Sequence, residues 1–271
     1  ADDAAQRDER AGSGGGADAA GDGEKRVHRY NGLSRTRLRT AASDARIAVR
    51  SLWRLARDLL DQQIIDVNGV KVCHLSYARG FPTVEYPEGQ PWWVNNIDVD
   101  RILADAQKAR DMGAEVVIVS MHWGTEPQHE PNDTQRAQAD ALTASGLIDL
   151  VVGHHTHVIQ PIEQVNGVWT VFGMGNSLSN MPVGPYPPES QDGVVVEVSF
   201  DVAPDGTVTV AKPVVYPTIV DKGYTFEIKD VLKNLARPDL TPRERAFYEA
   251  SLERTASYVG AGFIATEPFN G

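Results

Sequence analysis

Three histidines fall within four residues in the stretch GHHTHVIQPIE, at positions 154, 155 and 157, directly after the apolar run LIDLVV. A fourth, His122, closes the apolar run AEVVIVSMH. Imidazole is a common neutral ligand for borderline metals such as Zn²⁺, Mn²⁺ and Fe. An H-x-H pair on an extended segment sets both side chains on one side of the backbone, because strand side chains alternate with period two. That pairs His155 with His157 and turns His154 the other way. His122, from a neighbouring strand, would close one face of a site, and three histidines can hold one zinc with a fourth position open. The plainer alternative for each is a hydrogen-bonded structural histidine. His74 sits inside an apolar run and reads as a core or sheet-face residue. His28 and His129 fall in polar loops and carry no signal.

These residues need strands that end together. IIDVNGVKVCHLSY is two apolar runs around Asn68-Gly69, a strong hairpin signal. Asp98 to Met112 has helical spacing, with Gly113 as its stop. A buried strand ending at His122 follows, then a helix over Asp133 to Ser145. LIDLVVG is a second buried strand and NGVWTVFGMGN a third, ending in a Gly-rich turn at Asn176. Two more runs flank Pro204-Asp205-Gly206 as another hairpin, and Thr241 to Tyr258 reads as a peripheral helix. Strand, helix, strand, helix, strand at these lengths predicts an α/β sheet with crossovers and antiparallel additions at each end. In such sheets chemistry gathers beyond the carboxyl ends of the strands, which is where His122, the histidine cluster and Asn176 stand.

Composition narrows the partners. The 271 residues carry a net charge of −11, which argues against nucleic acid, since phosphate neutralisation needs a basic surface. The first 62 residues are near +2 and the remainder near −13. Residues 1–26 are small, polar and Gly-rich, and are expected to be disordered. From Lys25 to Arg57 there are ten Lys/Arg and one acid, Asp44. Apolar residues from Val49 to Leu60 recur there at helical spacing, either as a surface helix or as one that docks on anionic lipid. With Cys73 as the only cysteine, no intrachain disulfide forms.

The segment from about Ile64 to Asn176 resembles the CapA-type poly-γ-glutamate capsule biosynthesis proteins, a family related to the calcineurin-like metallophosphoesterases. The stretches that carry the resemblance are NGVKVCHLSY, VVIVSMHWGTE, LIDLVVGHHTHVIQPIE and VFGMGNS. It implies an α/β fold, a metallophosphoesterase-like β-sandwich flanked by helices. It places His122, His155 and His157 on metal-ligand positions, and Glu126, Gln160, Glu163 and Asn176 close to that centre. His154 becomes the candidate proton donor to a leaving group. Family members also carry a Gly-Asp strand end and an Asn-His pair that complete a two-metal centre, and neither occurs here. The N-terminal strands are therefore expected to be missing or altered, through truncation or a changed reading frame. The expected division is a non-family segment over 1–62, the family-like domain over 63–222 and a helical tail over 223–271.

The implied function is a divalent-metal-dependent hydrolase or transferase in capsule polymer synthesis at the cell surface. Its implied partners are an anionic polymer such as poly-γ-glutamate or a phosphate ester, and a capsule-synthesis membrane complex. The alternative is a non-catalytic binding or assembly subunit, or an inactive truncated family member.

Overall fold

The computed structural model describes residues 25–31, 64–80, 94–182, 184–223 and 226–270. The Gly-rich tail and the amphipathic stripe between Val49 and Leu60 lie outside the described residues.

The described residues begin with strand β1 (Lys25–Asn31), so His28 lies in a strand and not in a polar loop. Strands β2 (Ile64–Val67) and β3 (Val70–Ala78) form the expected hairpin. Asn68 and Gly69 both take positive φ, 53° and 84°, as a two-residue turn of this kind requires. Helix α1 (Val99–Asp111) starts where the Asp98 side chain accepts from the Arg101 amide, and it buries Ile102, Ala106 and Ala109. Strand β4 (Val116–His122) is buried as far as Met121. Helix α2 (Asp133–Thr143) opens on a reciprocal cap between Asn132 and Gln135. Strand β5 (Leu150–His154) follows. NGVWTVFGMGN is not one long strand. Strands β6 (Ile162–Val165) and β7 (Val168–Val171) make a second tight hairpin through Asn166-Gly167.

β2 to β7 form one six-stranded sheet in the order β2-β3-β4-β5-β7-β6, with β3, β4, β5 and β7 parallel. The C-terminal hairpin expected as an edge addition instead builds a second sheet. It comprises β8 (Asp192–Val202), β9 (Val208–Val210), β10 (Val214–Lys222) and β11 (Phe226–Asp230), with β1 on the other side of β8. Short helix α3 (Val231–Leu235) and long helix α4 (Pro242–Val259) complete the chain. Among the described residues no helix is long and apolar enough to cross a membrane.

Period-two alternation sorts the central sheet into two faces. Val70, Val72, Val116, Ile118, Leu150 and Val152 pack against Val194, Val196, Val198 and Phe200 of the second sheet. Cys73, Leu75, Val117, Val119, Met121 and Val151 pack under α1 and α2. The fold is thus an α/β sandwich with helices outside. Alternation also places His74 in line with Val70 and Val72, Ser120 and His122 in line with Val116 and Ile118, and His154 in line with Leu150 and Val152. The inter-sheet rows turn from apolar to polar at the carboxyl ends of three adjacent strands.

Candidate metal centre

β4 and β5 run parallel with His122 beside His154 in register, so both strands stop at one level. The chain then leaves β5 in a tight turn. His155 and His157 take φ of 94° and 59°, a region that side-chain-bearing residues rarely adopt. The H-x-H pair is therefore not extended, as its spacing suggests, and turn geometry brings its rings together. The His122 and His155 ring centres lie 4.5 Å apart, and those of His155 and His157 6.3 Å. Backbone held in such a conformation is stored at functional sites at about 1–3 kcal/mol per residue.

Glu126 reaches this cluster from the loop after β4. Its Oε1 stands 3.4 Å from His155 Nδ1 and 3.9 Å from His157 Nε2. Asn176 decides which nitrogen of His157 carries the proton. The Asn176 amide nitrogen donates to the His157 carbonyl at 3.1 Å and to the Ser190 carbonyl at 2.8 Å. Its carbonyl oxygen must then accept from His157 Nδ1, at 2.8 Å. His157 Nε2 is thereby turned toward a carboxylate oxygen of Glu126. His122 Nδ1 is buried with no hydrogen-bond partner. Lone pairs gathered around a carboxylate are what a cation would satisfy, and two ligands on a tetrahedral metal with bonds of ~2.0–2.1 Å stand roughly 3.3 Å apart. The donor chemistry fits a borderline divalent metal. As they stand, no three His, Cys, Asp or Glu side chains among the described residues form a ready cage.

Burial favours the neutral form of His122 and His155, the form that ligates. It is the leading cause that lowers His122, with the His157 charge adding to it, and it lowers His155 with help from His122. His154 is pushed down to about 4 by burial, then by His122 and His74. A group lowered this far is mostly neutral at pH 7, which weakens the case for His154 as a general acid. Its sign of linkage is clear. The folded state binds the proton more weakly than the unfolded chain, so stability is complete above about pH 6.5 and falls as pH drops toward 4. In chelator-treated protein His154 alone should remove about 2 kcal/mol between pH 7.5 and pH 5. Urea unfolding at the two pH values measures this. His154→Gln should flatten the dependence, and a parent profile already flat would contradict the burial of His154.

Other residues singled out from the sequence lie apart from this centre. Gln160 is fully buried, donating to the Gln128 carbonyl at 2.9 Å and accepting from Gln135 at 2.8 Å. It anchors α2 and the loop after β4, and does not face the cluster. Glu163 on β6 pairs with Arg136 of α2 at 3.1 Å. His129 stacks on Tyr258 and bonds the Ile159 carbonyl. Sequence reading passed over Arg79, whose amide donates to the His122 carbonyl and whose guanidinium donates to the Gly124 carbonyl. It also passed over the His74–Ser120 contact of 2.7 Å.

Residues 40–181 match the family model described as bacterial capsule synthesis protein PGA_cap. PGA biosynthesis protein CapA of Bacillus subtilis (strain 168) is 35% identical over 114 residues, 41% of this chain and 28% of that protein. Capsule biosynthesis protein CapA of Bacillus anthracis is 31% identical over the same shares. The aligned stretch thus covers less than a third of either relative. Among solved structures, a putative 5′-nucleotidase from Staphylococcus aureus is 16% identical, with a TM-score of 0.39 over 70% of this chain and 33% of its own. The calcineurin-like phosphoesterase YfkN from Bacillus subtilis is 19% identical, with a TM-score of 0.35 over 71% of this chain and 54% of its own.

Proposed function

The chain belongs to the bacterial capsule synthesis protein PGA_cap family, and from that premise we propose that it is a metal-dependent hydrolase or transferase. Its substrate would be an anionic surface polymer of the poly-γ-glutamate kind, handled at the cell surface. The observation that carries this reading is the Glu126 carboxylate, which faces His155 Nδ1 and His157 Nε2, with the orphaned Nδ1 of His122 in the same cluster. His122, His155, His157 and Glu126 would hold the metal. A bound divalent cation lowers the pKa of a water and neutralises charge on an attacked carbonyl or phosphorus. The chain's own residues do the rest: Asn176 fixes the His157 tautomer, and burial keeps His122 and His155 unprotonated.

Elemental mass spectrometry on the desalted protein tests the reading. Near-stoichiometric Zn, Mn or Fe is expected, with His155→Ala retaining little, and a folded parent protein that takes up none of the three would overturn it. Asn176→Ala should weaken metal binding about 10–100-fold, as loss of a ligand-orienting partner does. Imidazole ¹⁵N shifts should then show His157 released from its Nδ1–H tautomer. An unchanged tautomer would mean that Asn176 does not set it.

Glu126 is the only carboxylate at the cluster among the described residues, and that favours a second reading, a binding or assembly subunit with a structural metal. Turnover of a model phosphodiester or a γ-glutamyl amide by loaded protein separates the two.

A further inference from the structure

Beside the histidine cluster, on the α2 side of the sheet, is a cleft of about 190 Å³ lined by Arg79, Ile97, Trp123, Asn132, Thr134 and Gln138, with Gly124 at its edge. We propose that this cleft is a subsite for one carboxylate-bearing unit of an anionic polymer, with Arg79 as its charge-recognising residue. The proposal takes the identity of the polymer from the reading above and adds where a repeat unit is held.

Four observations lead there. The volume lies below the roughly 300–1,000 Å³ of a pocket that encloses a whole small molecule, so it suits one unit of a longer chain. Among the described residues its lining includes a cation and no acid, in a protein of net charge −11. Asp133 is exposed on the first turn of α2 and is not part of the lining. Arg79 is placed by two bonds to the β4 end, from its amide to the His122 carbonyl at 3.1 Å and from Nη1 to the Gly124 carbonyl at 2.6 Å. Among the described residues it has no carboxylate partner, and its Nη2 and Nε form no hydrogen bond there.

The remaining walls divide by chemistry. Ile97, half-buried, offers an apolar wall for the methylenes of a glutamyl unit, with the buried Trp123 ring beneath the cleft. Trp123 is itself fixed by donating to the Phe172 carbonyl at 2.9 Å. Thr134 and Gln138 stand one helical turn apart on α2, and their side chains form no hydrogen bond among the described residues. Asn132 is different, since its side chain is used by the helix cap and by Thr125. A guanidinium, a hydroxyl and an amide around an apolar floor match a carboxylate on a short aliphatic stem. The site also adjoins the histidine cluster through the backbone, because Arg79 bonds the carbonyls of His122 and Gly124.

Isothermal titration calorimetry of the full, chelator-treated chain tests this without turnover. The probes are a short γ-linked glutamate oligomer, the same oligomer with its free α-carboxylates converted to amides, and inorganic phosphate. The acidic oligomer should bind, more weakly as salt rises. The amide form should bind at least about tenfold more weakly, and so should the acidic oligomer to Arg79→Met, as loss of one charge-assisted pair predicts. Gln138→Ala should cost a few-fold. If Arg79→Met fails to fold by circular dichroism, Gln138→Ala and Thr134→Val carry the test. Equal binding of the acidic and amide oligomers, or folded variants that bind like the parent, would overturn the subsite. So would phosphate displacing the oligomer with higher affinity, which would make the cleft a phosphate site. Oligomer binding that depends on Arg79 in a protein that takes up no metal would keep the subsite and remove the hydrolase reading. Metal-dependent turnover with no Arg79-dependent binding would do the reverse.

Discussion

Gly153→Ala is expected to lose at least about 3 kcal/mol of folding stability, at the far end of what single substitutions do. Gly153 lies in β5 immediately before the histidines. A Cβ there would sit 1.8 Å from the Phe172 carbonyl oxygen, and 2.5 Å from both the Phe172 carbonyl carbon and the Trp123 indole nitrogen. None of these atoms is the free end of a flexible side chain. The Phe172 carbonyl accepts the Trp123 indole, and Val152 pairs with Val171 just before it. To admit one methyl, β5 must part from the segment after β7, or Trp123 must give up its bond in a fully buried site. Either change opens a close-packed interior on both sides of the central sheet. The glycine of the Gly-His-His-x-His motif is therefore there for space, so that two backbones can touch where the histidine turn begins. Urea unfolding of the metal-free variant measures the loss. A deficit under about 1 kcal/mol would show that the strands separate more easily than their contacts imply. Metal uptake should fall with stability, because His155 and His157 hang from this strand end.

The strand ends were legible because the signals that make them are local. Continuous apolar runs mark buried parallel strands, and Asn68-Gly69 and Gly113 are turn and stop residues whose chemistry acts within a few positions. Long-range packing was not legible. The residues from Asp192 onward read as a hairpin, and only the three-dimensional arrangement shows that they build a second sheet and close the inter-sheet core. The histidine pair shows the same limit at smaller scale. Its spacing fits an extended strand, and nothing in the letters His-Thr-His announces two positive φ values, since histidine has no glycine-like freedom. His122, His155 and His157 meet nonetheless. Gln160 and Glu163, three and six residues further on, turn away, because the chain has already crossed to α2 by then. Arg79 carried no sequence signal because its partners are two carbonyls, and any residue could have supplied those. Asn176 was legible as a residue near the centre. Its role, holding one tautomer of His157, depends on Ser190, fourteen positions later and beyond the stretch that matches the family model.

Arg254→Met carries that dependence outward to α4, where a cost of about 3–5 kcal/mol is expected, as for a buried ion pair with one partner removed. α4 is no peripheral tail. Asp192, at the start of β8, has a side chain only 2% exposed and accepts from Arg254 Nε at 2.6 Å, Arg254 Nη2 at 2.9 Å and Ser251 Oγ at 2.7 Å. Burial raises the Asp192 pKa, and the Arg254 hydrogen bonds and charge oppose that rise. With Arg254 gone the carboxylate stays buried without its cation, so its folded-state pKa rises further above the unfolded value. The folded variant then holds a proton that the unfolded chain has released, and stability returns as pH falls. The deficit relative to the parent should therefore be largest near pH 7.5 and shrink toward pH 5, a comparison from which the histidine contribution cancels. Asp192→Asn combined with Arg254→Met should recover part of the loss by removing the orphaned charge. A deficit that is small, or that does not shrink with pH, would mean that water reaches Asp192 and the pair is not buried in solution. The same pair reaches the histidine cluster through the backbone. The Asp192 carbonyl accepts from the Asn176 amide at 3.1 Å, and Gly193 packs so closely on the Asn176 carbonyl that an added Cβ would lie 2.1 Å from it. Loosening the start of β8 should thus free Asn176 and, through it, the His157 ring. A folded Arg254→Met protein should show the His157 tautomer shift expected of Asn176→Ala, although Arg254 touches neither residue.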